Sequence, residues 1–208
     1  MLASYKSDFY LLRGYLKTYI GTFALMIVFS VVQKSSYFAY FYPAFMAVFT
    51  PFSLFSLAEQ SGWESMLLSA PITRADIVRG RYMMCLSIDL IMLLVGFITA
   101  LFLKSDISSN IAALLLSLAA VLVLNSLVIP IVYKFGATKG RFAVMVICIL
   151  PAIVFPLIGS SDADFDLLIK IVDFLQRIPI LLVIDACCLV LLGLSYFISY
   201  LIYNRKEF

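Results

Sequence analysis

The chain has 208 residues, of which 64% are hydrophobic and 13% charged, and its formal net charge is +3. One globular core of this length cannot bury so many apolar residues, so the composition predicts an integral membrane protein and excludes a soluble one. The chain has no histidine, and its four cysteines show neither metal-ligand spacing nor a disulfide framework. We therefore predict no metal or cofactor bound by this chain.

Apolar runs long enough to cross a bilayer as helices recur throughout the sequence, and none shows the alternation typical of barrel strands. We predict an all-α fold in which residues 1–208 form a single transmembrane domain with six spans. The predicted spans cover about residues 16–32, 39–57, 82–103, 111–133, 142–159 and 179–203. For the first run the alternative is a cleaved signal peptide, which the bulky residues Tyr37, Phe38 and Tyr40 after it disfavour.

Basic residues near the span ends predict the orientation of the chain, because cytoplasmic loops of membrane proteins carry an excess of lysine and arginine. One side would hold Lys6, Arg13, Lys17, Arg74, Arg79, Arg81, Lys134, Lys139, Arg141, Arg205 and Lys206, and the other Lys34, Lys104, Lys170 and Arg177. This distribution places both termini in the cytoplasm of a multi-pass plasma-membrane protein. No basic stripe with interleaved aromatic residues lies outside the spans, so we predict no nucleic-acid partner.

Two further segments have amphipathic patterns. In residues 1–17, Tyr5, Phe9, Leu12 and Leu16 recur at helical spacing while Lys6, Asp8, Arg13 and Lys17 occupy the other faces, which predicts an interfacial helix. Residues 160–178 are too long for a turn and too charged for a span. They predict a short external helix, either lying on the outer leaflet or re-entering it.

The segment 59–80 between the second and third predicted spans is polar and motif-like inside an otherwise apolar sequence. Gly62 can end one helix, Trp63 to Ser69 can form about two helical turns, and Pro71 ends that piece. Thr73 with Asp76 three residues later has the spacing of a helix start, so the third span would begin in the cytoplasm. The pattern predicts a short helix at the membrane surface.

Residues 59–64 (EQSGWE) and 68–82 (LSAPITRADIVRGRY), together with the order of spans, resemble the permease subunits of bacterial ABC type-two (ABC-2) exporters. Among these the chain is most similar to the small Gram-positive permeases of peptide and toxin exporters, including phenol-soluble-modulin exporters. Arg81 differs from the lysine found in many relatives.

The resemblance implies that the polar segment forms a coupling helix that docks on a separate ABC ATPase, with two permeases, as copies or paralogues, paired with two ATPases. The implied ATPase-coupling residues are Glu59, Trp63, Glu64, Met66, Leu67, Pro71, Arg74 and Asp76. ATP and Mg would be bound by the partner, because this chain has no phosphate-binding loop motif. The implied substrate is an amphipathic or antimicrobial peptide moved out of the cell.

Two carboxyl groups fall inside predicted spans, where each costs about 2.5 to 3.5 kcal/mol on the insertion scale. Asp89 lies about 10 Å from the start of its span and Asp185 about 9 Å from the start of its own, at opposite sides, so a direct pair is not expected. Together with Asn125 they either line the transport pathway or hold helices together.

Two other classes remain open from the sequence. A non-ABC membrane anchor or immunity protein would have the same hydropathy. A lipid-modifying membrane enzyme is a weaker alternative, because no cluster of carboxylates, histidine pair or serine–lysine dyad is apparent at one depth.

Overall fold

The structure, a computed structural model, describes residues 2–34, 37–62, 73–103, 107–158 and 178–205, without the side chains of residues 2, 3, 37, 141 and 143–158. The described part is helical and contains no strand. The helices are α1 (Leu2–Val32), α2 (Tyr37–Gln60), α3 (Arg74–Phe102), α4 (Ile107–Ile158) and α5 (Ile178–Asn204).

Within the described residues, five helical stretches are long and apolar enough to cross a membrane: Ser4–Val32, Phe38–Gln60, Arg74–Phe102, Ile107–Gly140 and Ile178–Asn204. The predicted all-α, multi-pass membrane fold is therefore confirmed. The predicted span 142–159 is helical as far as Ile158. The structure does not describe its side chains after Phe142. Residues 160–177 of the predicted external segment lie outside the described residues, and Ile178 is the first residue of α5. Six spans remain a prediction.

The predicted interfacial helix and the first span form one uninterrupted helix, α1, without a break near residue 17. Ser4, Asp8 and Leu12 are fully buried, because a four-residue spacing places them on one face that packs against α2 and α3. The close approach is possible because Gly80 of α3 has no side chain: a Cβ there would lie 2.5 Å from Ser4 Oγ. Asp8 is therefore buried and does not lie on an exposed polar face, whereas a position of residues 2–17 at the membrane interface stays a prediction.

Helix α4 consists of two helical segments joined at Gly136, whose φ of 77° is outside the helical range. A Cβ on Gly140 would lie 3.5 Å from Cα of Val132, eight residues earlier. Eight residues of straight helix would span about 12 Å, so the chain turns back on itself at Gly136. Glycine is suited to this position because it lacks the Cβ that disfavours positive φ in other residues.

A proline and a glycine allow α2 and α3 to pack closely. Pro43 has no N–H and cannot donate to the carbonyl of Ala39 one turn earlier. A Cβ on Gly96 of α3 would lie 3.0 Å from that same carbonyl oxygen. The backbone of α3 therefore approaches α2 where the proline has removed a helical hydrogen bond, as small residues allow in membrane helix packing.

Three contacts between helices show which helix ends lie together. Ser4 at the start of α1 packs on Gly80, Arg74 at the start of α3 bonds to the end of α5, and Glu59 at the end of α2 bonds to the backbone after Gly136. We call this the termini end of the bundle. The opposite end, where α2, α4 and α5 begin, is called the cavity end.

Candidate functional site

The start of α3 has the predicted cap. Thr73 has extended backbone angles, and its hydroxyl oxygen accepts a hydrogen bond from the Asp76 backbone N–H at 3.2 Å. The Thr73 hydroxyl in turn donates to Asp76 Oδ2 at 2.8 Å. This arrangement satisfies an amide that the helix itself leaves unpaired. The predicted helix start at Thr73 and Asp76 is confirmed, and so is the helix end near Gly62, since α2 stops at Gln60 and Gly62 has a φ of 63°.

Arg74 connects this helix start to the end of α5. One guanidinium nitrogen donates to the carbonyl oxygen of Asn204 at 2.7 Å, and it lies 3.5 Å from that of Tyr203. The last carbonyls of a helix have no partner within the helix and carry partial negative charge, so a cation is favourable there. This hydrogen bond connects the start of α3 to the last turn of α5.

Glu59 lies at the other boundary of the same segment and bonds to the turn of α4. Its Oε1 accepts a hydrogen bond of 3.0 Å from the backbone N–H of Ala137, the first residue after Gly136. A carboxylate at the start of a helix satisfies an orphan N–H and interacts favourably with the helix dipole. The structure therefore gives Glu59 a defined contact inside this chain, in addition to the coupling role predicted for it.

Arg81 lies on α3 about two turns after Arg74 and is fully buried. The sequence analysis did not predict this burial. Its guanidinium carbon lies 4.2 Å from the ring centroid of Phe55 and 5.7 Å from that of Tyr133. Tyr133 also packs edge-on against Phe55 and Tyr203, with centroids 4.6 and 5.4 Å away. A cation over desolvated aromatic faces is held strongly. We call Arg81, Phe55, Tyr133 and Tyr203 the arginine cluster; its members come from α3, α2, α4 and α5.

Asp8 belongs to the same region. It is fully buried, and both it and Arg81 lie within electrostatic range of the buried thiol of Cys85. An acidic and a basic group therefore share one buried neighbourhood between α1 and α3. Sequence spacing alone gives no signal for this, because α1 and α3 meet only in the folded bundle.

Asp89 and Asn125 meet in the middle of the bundle, about 22 Å along α3 from Arg74. Both are fully buried, and the Asn125 amide donates to Asp89 Oδ2 at 2.8 Å. The same amide lies 3.1 Å from the carbonyl oxygen of Val121. The structure thus joins two of the three predicted pathway residues as a contact between α3 and α4, with no side-chain surface exposed to solvent.

Asp185 stays apart from that pair. It is 6% exposed on α5, near Cys188, and neither carboxylate oxygen has a hydrogen-bond partner among the described residues. Among the described residues, Asp89 bonds to Asn125 and not to Asp185, whereas the predicted difference in depth stays a prediction. Whether these residues line a pathway stays a prediction.

A second polar contact, which the sequence analysis missed, connects α3, α4 and α5. The Tyr82 hydroxyl lies 2.7 Å from Ser195 Oγ and 2.8 Å from Ser199 Oγ. Ser195 Oγ also donates to the backbone carbonyl of Ser126 at 2.6 Å. The sequence contained one signal for this contact. The two serines of α5 are four residues apart, which places both on one face of the helix.

The cavity end contains a cavity of about 850 Å³ between α2, α4 and α5. Its walls consist of small and apolar residues with a few hydroxyl groups, and none of Asp89, Asn125 and Asp185 is among them. The lining residues are Tyr40, Phe41, Ala44, Ser108, Ser109, Ala112, Ala113, Leu116, Ser117, Ala120, Ile178 and Pro179.

Comparison with known proteins identifies the family of this chain. The family model described as ABC-2 family transporter protein matches residues 5–204, nearly the whole chain. The chain belongs to the ABC-2 transporter family. No curated protein and no solved structure matches it. As an ABC-2 family member, the chain is a permease subunit of an ABC transporter, a transport subunit whose family implies an ABC ATPase partner.

For this ABC-2 permease, the described residues include the two borders of the predicted coupling segment and not its centre. Glu59, Arg74 and Asp76 are described, whereas Trp63, Glu64, Met66, Leu67 and Pro71 lie outside the described residues. Among the described residues, no group of three histidine, cysteine, aspartate or glutamate side chains could hold a metal ion.

Proposed function

We propose that this ABC-2 permease is the membrane subunit of an exporter whose separate ATPase docks on residues 59–80. The observation that carries the proposal is that both borders of the segment are bonded to other helices. Glu59 bonds to the turn of α4 and Arg74 to the last turn of α5. A force applied between these borders would therefore act on two other helices, at the turn of α4 and at the last turn of α5.

In the proposed mechanism, ATP and Mg are bound and hydrolysed by two ATPase copies, and their closure moves the segment that contains Trp63 and Glu64. The arginine cluster then carries the movement into the bundle, because its four members come from four helices and touch one another. Packed interiors respond to such a displacement by changing between discrete arrangements.

The proposed assembly contains two permeases, either copies or paralogues, in the plasma membrane, with the termini end in the cytoplasm. The positive-inside distribution of basic residues supports this orientation. The proposed substrate is an amphipathic or antimicrobial peptide, which rests on the resemblance to small peptide and toxin exporters.

Copurification tests the coupling proposal. The tagged permease is isolated from its native membrane with the bound ATPase, and the variants Trp63→Ala and Glu64→Ala are compared with Gln33→Ala. Gln33 is exposed in the turn after α1, at the cavity end, and is the matched control. We expect the two segment variants to lose most of the ATPase and of the permease-dependent ATP hydrolysis, with membrane insertion unchanged. Equal ATPase recovery from all three variants contradicts the proposal.

Orientation is tested by cysteine labelling in a background without the native cysteines. Ser61→Cys at the termini end and Gln33→Cys at the cavity end both replace exposed residues. In intact cells, a membrane-impermeant thiol reagent is expected to label Gln33→Cys and to label Ser61→Cys only after permeabilisation. The reverse pattern contradicts a cytoplasmic coupling segment.

A further inference from the structure

The cavity at the cavity end is graded from polar to apolar along its length. At its outer opening lie the exposed hydroxyls of Ser108 and Ser109, together with Tyr40 in the first turns of α2. Further along α4 the described walls are Ala112, Ala113, Leu116 and Ala120, with one further hydroxyl at Ser117 that bonds within its own helix. Among the described lining residues, none carries a formal charge. A polar opening above an apolar interior fits an amphiphile and disfavours a charged ligand, whose desolvation no lining group would offset.

The dimensions of the cavity match one leaflet of a bilayer. Its wall on α4 runs from Ser108 to Ala120, about 18 Å of helix. Half of a hydrocarbon core of about 30 Å is about 15 Å. The volume of about 850 Å³ lies within the range typical of small-molecule sites. The cavity is therefore deep enough for one extended apolar chain whose head stays at the opening.

Three lining residues indicate how such a molecule enters and is held. Phe41 and Leu116 are 64% and 53% exposed, so the apolar wall continues onto the lateral surface of the bundle. Tyr40 is 3% exposed, and its hydroxyl has no hydrogen-bond partner among the described residues. A buried hydroxyl without a partner is unfavourable, and an acceptor on a ligand head would satisfy it. Ser117, deeper in the cavity, already donates to the Leu114 carbonyl at 3.0 Å.

We propose that this cavity binds a single-chain amphiphile with an uncharged, hydrogen-bonding head, of the monoacylglycerol type, entering laterally from the leaflet at the cavity end. The chain occupies the space beside Ala113 and Ala120, and the head lies near Tyr40, Ser108 and Ser109. The inference concerns a lipid-ligand site and does not rest on the proposed peptide export or on ATPase docking.

Photolabelling of the full-length permease tests this site. The protein is placed in phosphatidylcholine nanodiscs with a monoacylglycerol that carries a diazirine in its chain, and labelled peptides are identified by mass spectrometry. We expect labelling concentrated in residues 37–44 and 108–120. Excess unlabelled monooleoylglycerol should remove at least four fifths of it, whereas the same amount of anionic lysophosphatidylglycerol should remove less than half. Labelling spread evenly over the lipid-facing surface, or equal competition by both lipids, overturns the proposal.

Variants that fill the cavity provide the second part of the test. Ala113→Trp is expected to lower labelling at least fivefold, and Ala186→Trp is its matched control because Ala186 is exposed on α5 away from the lining. Should Ala113→Trp fail to fold, Ser109→Trp places the same ring at the exposed opening. Tyr40→Phe is expected to weaken labelling about threefold without changing its position. Undiminished labelling in the filled variants overturns the proposal, as does a disulfide between copies through Ala113→Cys, which would show that a second permease covers the cavity.

Discussion

The termini end and the cavity end of this permease are held together by different interactions. At the termini end, charged groups make contacts between helices. Glu59 bonds to the turn of α4, Arg74 bonds to the end of α5, and Arg81 packs on the Phe55 ring of α2 and the Tyr133 ring of α4. At the cavity end the walls are small, apolar and hydroxyl-bearing residues. In the two proposals, the termini end transmits the force of the ATPase and the cavity end admits a lipid.

The largest effect is expected when Arg81 is neutralised. Arg81→Met keeps the length of the side chain and removes its charge, so the interactions with the Phe55 and Tyr133 rings are lost. In a desolvated site this costs about 2 kcal/mol or more. The free energy of unfolding in mixed micelles measures the change. Arg79→Met, two residues earlier and exposed, is the matched control and should change stability little. Equal effects in both variants would show that the arginine cluster does not stabilise the termini end.

The turn of α4 is expected to give the next largest effect. Gly136→Ala forces a left-handed conformation on an L-residue, at a cost of about 1–2 kcal/mol. Its Cβ would also lie 3.0 Å from Glu59 Oε1 and disturb the bond to Ala137. Gly193→Ala is the control, since a Cβ there meets no atom within 4 Å and the position is helical. Thermal unfolding of both variants measures the difference, and a Gly136→Ala protein as stable as Gly193→Ala contradicts the prediction.

The Asp89–Asn125 contact lies between the two ends and separates packing from a role in transport. Asp89→Leu leaves the buried Asn125 amide without its acceptor, which is expected to cost about 1–3 kcal/mol of unfolding free energy. Asp89→Asn keeps an oxygen acceptor and should retain most of the stability. Export assays on Asp89→Asn then decide its role: unchanged transport with unchanged pH dependence leaves a packing role, and loss of transport in a stable variant assigns it to the pathway.

The smallest effect is expected at Arg74, where the contact is partly exposed. Arg74→Gln weakens the interaction with the end of α5 by about 0.3–1 kcal/mol. Hydrogen exchange should detect faster opening of the last turn of α5, with the first turns of that helix unchanged. Arg205→Gln, exposed after the end of α5, is the control. Equal exchange in wild type and Arg74→Gln would mean that the border of the coupling segment is not tied to α5.

Local signals in the sequence were sufficient for the helix boundaries around the coupling segment. Thr73 and Asp76 interact with each other and with the backbone between them, so their effect needs no other part of the chain. Gly62 likewise acts on its own backbone. The apolar runs predicted the membrane class for the same reason, since hydropathy is a property of each segment taken alone.

Asp8 and Arg81 could not be placed from the sequence. Charged residues near the ends of spans ordinarily remain in contact with water, and periodicity put Asp8 on the polar side of α1. Both are buried because α1 packs against α3 through Ser4 and Gly80, a contact between residues 76 positions apart. The cavity also required the bundle, since its walls come from three helices that begin at residues 37, 107 and 178.

By itself, the sequence determined that this protein is helical and crosses the membrane several times. It also determined that a polar segment separates the second and third spans and that α3 starts at the N-cap Thr73. Those properties depend on hydrophobicity and on hydrogen bonds between near neighbours. The tertiary structure alone decided that Glu59 and Arg74 bond to other helices, that Asp89 meets Asn125, and that a cavity whose described walls are uncharged forms at the other end. Each of these depends on distances between residues far apart in the chain, which helix packing fixes.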